Sequence, residues 1–319
     1  MLHRQIDDLG SRHSLSRATI AIALFLCSFN AEAVVIIAGD GSGNTSAPAD
    51  DPGFNNVGNR GVYLGSSLGN YWVLTANHVG AGSITLGGTS YNHVSGSETR
   101  IKNPTGSGLS EFTDLLVFRI DSDPALPNLN ISATVPAVGS EVTLIGDGLD
   151  RDTSLTSWTV DTSPDPFTWS EGGASPNASG FKSLGTTTMR WGTNVITDQG
   201  SDTVIDAGSG DSRAIKLTYD QGGGDNEATL AGGDSGGALF YKNGSDWELA
   251  GILQAIGTFS GQPSNTSVFG NLAYAGDLSF YRDEILTVTA VPEPLHSPLA
   301  LSLGAVLIAC VHRRRRKIA

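Results

Sequence analysis

Ala231-Gly-Gly-Asp-Ser-Gly-Gly-Ala238 sets one serine between two glycine pairs, on what must be a tight turn. The flanking glycines let backbone N–H groups converge on a single point. That point can hold a developing oxyanion, with the Gly233 and Ser235 amides as donors. A glycine-rich chain also makes such turns by chance, and Gly222-Gly-Gly224 is one of them. What lifts the serine turn above chance is the context upstream.

A hydroxyl is a weak nucleophile at neutral pH. It needs a base in contact, usually histidine, and a carboxylate to fix the imidazole tautomer. Of the six histidines, His3, His13, His296 and His312 lie in the extreme ends, leaving His78 and His93 in the body. His78 ends the apolar run Trp72-Val-Leu-Thr-Ala-Asn-His-Val79, where a loop can present it to a cleft. His93, in Tyr91-Asn-His-Val94, has polar neighbours and reads as a surface or strand histidine. The carboxylate is Asp114, in Phe112-Thr-Asp-Leu-Leu-Val-Phe118. It opens an apolar strand, so the chain there points inward and could bury the acid against an imidazole. Alone it reads equally well as a strand-start acid facing water; the order His78, Asp114, Ser235 favours the buried acid.

These three contexts resemble the chymotrypsin-like (trypsin-fold) serine peptidases, in the same order and at similar spacings. Thr75-Ala-Asn-His78 is similar to that family's Thr-Ala-x-His motif, Asp114-Leu-Leu matches Asp-x-x-Leu loosely, and Gly233-Asp-Ser-Gly-Gly237 is its serine loop. Glu248-Leu-Ala-Gly-Ile-Leu253 resembles the strand after the serine, whose continuation lines the substrate groove. The resemblance implies a serine endopeptidase acting on polypeptides through an acyl-enzyme. His78 would be general base and then acid, Asp114 would orient it, and Ser235 would attack the scissile carbonyl. It implies no cofactor and no metal. Thr229, six residues before the serine, would floor the substrate pocket, with Gln254, Ala255 and Ile256 along its wall. Threonine in place of an acid at 229 gives no support for cleavage after Arg or Lys. Ile256 would crowd the pocket mouth and favour small apolar side chains. In much of this family a freed N-terminus folds inward and pairs with the acid before the serine, here Asp234. The alternative is a catalytically idle member acting as a surface or exopolysaccharide-matrix binding module; the intact triad and oxyanion turn favour the enzyme.

Outward from these motifs, the body reads as β. Short apolar or alternating runs recur between Gly, Asn, Asp and Pro clusters: Gly61–Leu64, Tyr71–Leu74, Ser83–Leu86, Leu115–Ile120, Glu141–Ile145, Ala214–Thr218 and Glu248–Leu253. Gly87-Gly88 predicts a hairpin turn. Asp277 predicts the cap of a terminal helix that carries Leu278, Tyr281 and Ile285 on one face. A Pro-containing polar stretch from 121 to 136 separates two strand sets. The expectation is an all-β body of two packed small antiparallel β-barrels, split near 121–140, with a short C-terminal helix. The stretch 147–210, rich in Asp, Ser, Thr and Gly, predicts long surface loops. Acidic clusters such as Asp40-Gly-Ser-Gly-Asn44 and Asp147-Gly-Leu-Asp-Arg-Asp152 lack the full calcium-loop signature and read as solvated turns.

The two ends read as addresses. Arg12 and Arg17, the apolar run 18–29 and Ala31-Glu-Ala33 form a secretory signal, residues 1–33, cleaved after Ala33. The body then begins at Val34-Val-Ile-Ile37, an apolar start suited to folding inward. At the other end, Val291-Pro-Glu-Pro294 leads into an apolar segment, 295–311, closed by Arg313, Arg314, Arg315, Arg316 and Lys317. That order resembles the PEP-CTERM sorting tail of Gram-negative bacteria, covering 291–319. It implies signal peptidase and exosortase as processing partners and a transient stay in the inner membrane. The destination would be the periplasm, cell surface or extracellular matrix; an ordinary C-terminal anchor is the alternative.

Composition agrees. The 319 residues carry 19 Lys and Arg against 32 Asp and Glu, a net charge of −13 that argues against a nucleic-acid partner. Cys27 and Cys310 both lie in the ends, so the body has neither a disulfide framework nor a zinc–thiolate site. Extracellular members of the resembled family usually carry disulfides; this body must hold its loops by packing alone.

Overall fold

The computed structural model describes residues 34–291. The expected signal, 1–33, and the expected apolar tail segment, 295–311, lie outside them. Among the described residues no helix is long and apolar enough to cross a membrane.

As far as residue 120 the chain forms β1 (Val35–Ile36), β2 (Val62–Ser67), β3 (Asn70–Thr75), β4 (Ile84–Leu86), β5 (Thr89–Tyr91), β6 (Thr99–Lys102) and β7 (Phe112–Ile120). The sheet order is β2-β3-β7-β6, antiparallel throughout, with the β4–β5 hairpin beside it. Gly87 and Gly88 make the hairpin turn, both at positive φ (54° and 83°), as a two-residue turn of this hand requires.

Beyond residue 140 come β8 (Glu141–Gly146), β9 (Leu149–Arg151), β10 (Thr156–Asp161), β11 (Thr168–Glu171), β12 (Ala178–Thr187), β13 (Arg190–Asp206) and β14 (Asp211–Thr218). Then follow β15 (Ala228–Thr229), β16 (Ala238–Asn243), β17 (Asp246–Gly257), β18 (Thr266–Val268), β19 (Leu272–Asp277) and α1 (Leu278–Thr289). Strands β13-β14-β19-β17-β16-β8 close a barrel. The architecture is all-β, two barrel-like halves with a short C-terminal helix, as the sequence predicts.

Alternation along the strands divides the core into layers. On β7, Phe118 and Ile120 point into the first half with Tyr63, Val73 and Ile84. Leu115 and Val117 point the other way, into a cluster shared with Ile145, Phe240, Leu249 and Ile252 of the second half. On β8, Val142 and Leu144 fill the second barrel while Ile145 joins the shared cluster. Helix α1 seals that cluster with Leu278, Tyr281 and Ile285, and the Asp277 carboxylate caps it by accepting from the Ser279 N–H at 3.1 Å. The stretch between the halves is strapped to both. Leu129 N–H donates to Leu64 O, and Ser132 N–H to Leu249 O.

The stretch 147–210 corrects the sequence expectation. It holds β9 to β12, which with β18 form a five-stranded sheet, and the 17 residues of β13. Such strands bury few large apolar side chains, Trp158 and Phe181 among them, and Ser, Thr, Asp and Gly recur between these, many only half-buried. Backbone pairing carries them, so their hydrophobic alternation is too weak to read.

This inserted sheet holds the N-terminal stretch. The buried Arg151 guanidinium donates to the carbonyl oxygens of Ile36, Ile37, Ala38 and Gly39 at 2.7–3.1 Å and lies 3.8 Å over the Phe181 ring. Arg190 donates to Gly43 O at 2.7 Å and pairs with Asp150 at 2.9 Å. Glu227 lies on the other side of the same stretch, where its carbonyl accepts the Ile37 N–H.

Burial is the main cause that pushes the Glu227 carboxyl up to about 7. The folded chain therefore holds this proton more tightly than the unfolded chain, whose value is 4.5. The stability it contributes is full below about pH 4.5 and is lost as pH rises through about 7. Glu227→Gln keeps an acceptor for the Asp220 N–H and is expected to flatten the fall in urea midpoint between about pH 5 and about pH 8. An unchanged slope would show that Glu227 is not its source.

Candidate active site

His78 and Asp114 meet, and the turn that carries Ser235 is seated against the strand leading to His78. At the end of β3, Thr75 donates through its hydroxyl to Arg60 O, and the chain makes one tight turn, with Val79 and Gly80 N–H bonded to Ala76 O. His78 sits on that turn with its side chain 27% exposed, open enough to meet a ligand. Asp114, near the start of β7, has no exposed surface. Its Oδ2 lies 2.7 Å from His78 Nδ1, and its Oδ1 accepts the His78 backbone N–H at 2.9 Å. The carboxylate thus holds the proton on Nδ1 and leaves Nε2 as the acceptor.

The second barrel supports the acid from behind. Asp114 N–H donates to Ser212 Oγ on β14 at 3.1 Å, and that hydroxyl also bonds Thr113 Oγ1 at 2.7 Å. Gln254 on β17 donates through Nε2 to Asp114 O at 2.7 Å. Nothing in the sequence marks Ser212 or the direction of the Gln254 amide; both become visible only when the barrels are brought together.

The serine turn is built from its own backbone. Asp234 Oδ2 accepts the Ala231 N–H at 2.8 Å, and Gly237 N–H returns to Asp234 O at 2.8 Å. Gly236 N–H and Gly237 O tie the turn to Leu253 of β17. Gly233 and Gly236 have φ of 92° and 88°, where a side chain would be strained. Gly236 is also a close approach: a Cβ there would meet Thr75 Oγ1 at 2.6 Å. This contact seats the serine turn against the end of β3, three residues before His78. Among the described residues, neither the Gly233 nor the Ser235 N–H donates to a protein acceptor. Ser235 is half-buried, and its hydroxyl donates to Gln254 O at 3.4 Å, so in this rotamer it points to β17 rather than to His78 Nε2.

The four expected pocket residues divide. Thr229 is enclosed on β15 opposite Val35, 1% exposed. The Gln254 side chain is buried and committed to Asp114 rather than facing a pocket. Ala255 and Ile256 are half-exposed on β17. His93 stands apart, paired with Glu98 at 2.8 Å and edge-on to Phe118. Asp40 accepts from Ser42 within its own turn.

Residues 58–277 match the family model described as Trypsin. The chain belongs to the trypsin family. No curated protein matches it. Among solved structures, this trypsin-family chain is similar to human heparin binding protein, with 14% identity, 80% of this chain and 99% of that one covered, and a TM-score of 0.45. It is also similar to the inactive form of a serine-to-alanine mutant of Rv3671c from M. tuberculosis H37Rv, with 13% identity, 82% and 100% covered, and a TM-score of 0.40.

The trypsin-family turn around Asp234 leaves no room beside it. A Cβ on Gly146, the last residue of β8, would lie 2.1 Å from Asp234 Oδ1. Gly146→Ala is expected to destabilise the fold by about 1–3 kcal/mol, measured by urea unfolding. Gly185→Ala, whose Cβ would meet nothing within 4 Å, should change stability by less than about 1 kcal/mol and serves as control. Equal values for the two would mean that the turn can move aside.

Proposed function

We propose that this protein is an exported serine endopeptidase. The observation that carries the proposal is the 2.7 Å contact between His78 Nδ1 and a fully buried Asp114 carboxylate, on the first barrel beside a serine turn from the second. In the reactive rotamer the Ser235 hydroxyl would leave Gln254 O and turn to His78 Nε2. Oγ attacks the scissile carbonyl as Nε2 takes its proton. The free Gly233 and Ser235 amides receive the developing oxyanion. Nε2 then returns the proton to the leaving amine, and water releases the acyl group by the same steps in reverse order. The half-exposed Ala255 and Ile256 favour a shallow cleft suited to small apolar side chains. The signal and sorting tail read from the sequence would carry the protein across the inner membrane, with signal peptidase and exosortase trimming its ends.

The Ser235 rotamer is the observation that favours the idle binding module instead, and one experiment separates the two readings. The purified protein should label with an active-site fluorophosphonate, while Ser235→Ala and His78→Ala should not. Absence of label on folded wild-type protein that begins at Val34 would overturn the enzyme reading.

We also propose that signal cleavage itself completes the site. Val34 is enclosed, and the register Val35↔Thr229, Ile36↔Ala228 runs the chain before Val35 alongside Leu230 and Ala231, toward the Asp234 turn. A cut after Ala33 would free an ammonium at that point. One extra residue before Val34 should then lower kcat/KM at least about tenfold, the weight of about 1.4 kcal/mol. An unchanged rate would mean that Asp234 works without a freed N-terminus.

A further inference from the structure

We infer that Gln254 is the positioning residue that locks the acid of one barrel to the nucleophile of the other. The inference rests on the peptidase reading above and assigns Gln254 to the triad's support rather than to the substrate pocket. Its side chain and its main chain serve opposite partners. The amide Nε2 donates to Asp114 O at 2.7 Å, across 140 residues of sequence. Its own carbonyl oxygen accepts the Ser235 hydroxyl at 3.4 Å. A shift of this one residue therefore moves both the acid's backbone and the resting position of the nucleophile.

Three features make the contact a built one. The residue is 3% exposed, so no water competes for the amide. Gly276 on β19 lies directly against it; a Cβ there would approach Nε2, Cδ and Oε1 at 3.0–3.2 Å. The amide also has only one useful orientation, because turning it over would aim Oε1 at the Asp114 carbonyl oxygen. In the orientation present, Oε1 is buried without a partner. Buried polar atoms are nearly always satisfied, so an unsatisfied oxygen is tolerated here for the sake of the donor beside it. Asp114 O also accepts the Asn77 N–H at 3.3 Å, from the turn that carries His78. Gln254 thus reinforces the one carbonyl that joins the acid's strand to the histidine's turn.

Misplacement of a reacting group by about 1 Å can cost about a hundredfold in rate. Gln254→Met keeps length and removes the donor. It should lower kcat and the fluorophosphonate labelling rate about 10–100-fold, with KM within about twofold. Gly276→Ala should act in the same direction without touching substrate, by crowding the amide. Gln254→Glu gives the diagnostic profile. The introduced carboxyl can donate to Asp114 O only while neutral, and burial beside Asp114 raises its pKa. Activity should then fall with rising pH where the parent's does not. A rise in KM with kcat kept, and no new pH limb, would make Gln254 a pocket residue and overturn the inference. If the wild-type protein neither cleaves nor labels, the peptidase reading fails and Gln254 is still tested by NMR. Gln254→Met should shift or broaden the His78 Nδ1 proton resonance of the folded protein, and an unchanged resonance overturns the inference.

Discussion

A carboxylate with no exposed surface, set where two barrels meet, is the constraint around which this molecule is arranged. Desolvating Asp114 costs several kcal/mol, and a buried charge is tolerated only when it is paired and its lone pairs are satisfied. The donors that meet its two oxygens are the backbone and ring N–H groups of His78. Its main chain is held by Asn77, Gln254 and Ser212. Hydrogen bonds to a charged group are worth about 1.5–3 kcal/mol each, so two to the carboxylate offset much of the penalty and neither is dispensable. The histidine turn belongs to the first barrel, while Ser212 and Gln254 belong to the second. The apolar cluster between the barrels is non-directional and would tolerate sliding; the acid does not. The His78–Asp114 geometry and the barrel registration are therefore set by the same bonds.

The described body contains no cysteine, so no disulfide links its segments. Guanidinium groups take part of that role. Arg151 gathers four successive carbonyls of an N-terminal stretch whose strand is two residues long, and stacks on Phe181 where water is excluded. A planar, always-charged donor fork suits this task in a way that a lysine would not. Gly41 belongs to the same design, because a Cβ at its position would meet the Arg151 side chain at 2.7 Å.

The sequence was most legible where chemistry needs particular atoms. The His78–Asp114 contact and the tight turn at Ser235 were both expected from sequence, because few residue types suit a buried acid, its imidazole partner or a glycine-flanked turn. Strands β2, β3, β7, β8, β14 and β17 were legible because each buries an apolar face. Helix α1 was legible from a cap and three apolar side chains. The sheet from β9 to β12 was not, since a strand of Ser, Thr and Gly with one wet face looks like a loop. Ser212 and Gln254 were illegible for a different reason. Their hydroxyl and amide act on a residue of the other barrel, and no local pattern records which way a buried amide will point. Gln254 shows the same limit from the other side: position in a motif told where the chain passes, not which way its side chain turns.

The inserted sheet explains how so polar an addition can matter to the serine turn. One small apolar cluster joins Val35 of the N-terminal stretch, Leu149 and Phe181 of the insertion, Tyr219, and Ala231 at the start of the serine turn. Phe269, following β18, packs on Tyr219 at 4.7 Å and on Phe181 at 6.0 Å. Strand β18 is itself paired with β12, and Trp169 of β11 donates to Ser260 O in the loop after β17. The insertion therefore grips both chain segments beside the serine turn: the N-terminal stretch that runs along β15, and the loop that continues from Gln254, Ala255 and Ile256. Each grip alone is a few hydrogen bonds and a ring contact. Because both end on the same cluster, neither segment can move without opening it. The long sheet that looked like surface loop thus serves as the brace for a turn whose glycines leave it little stiffness of its own.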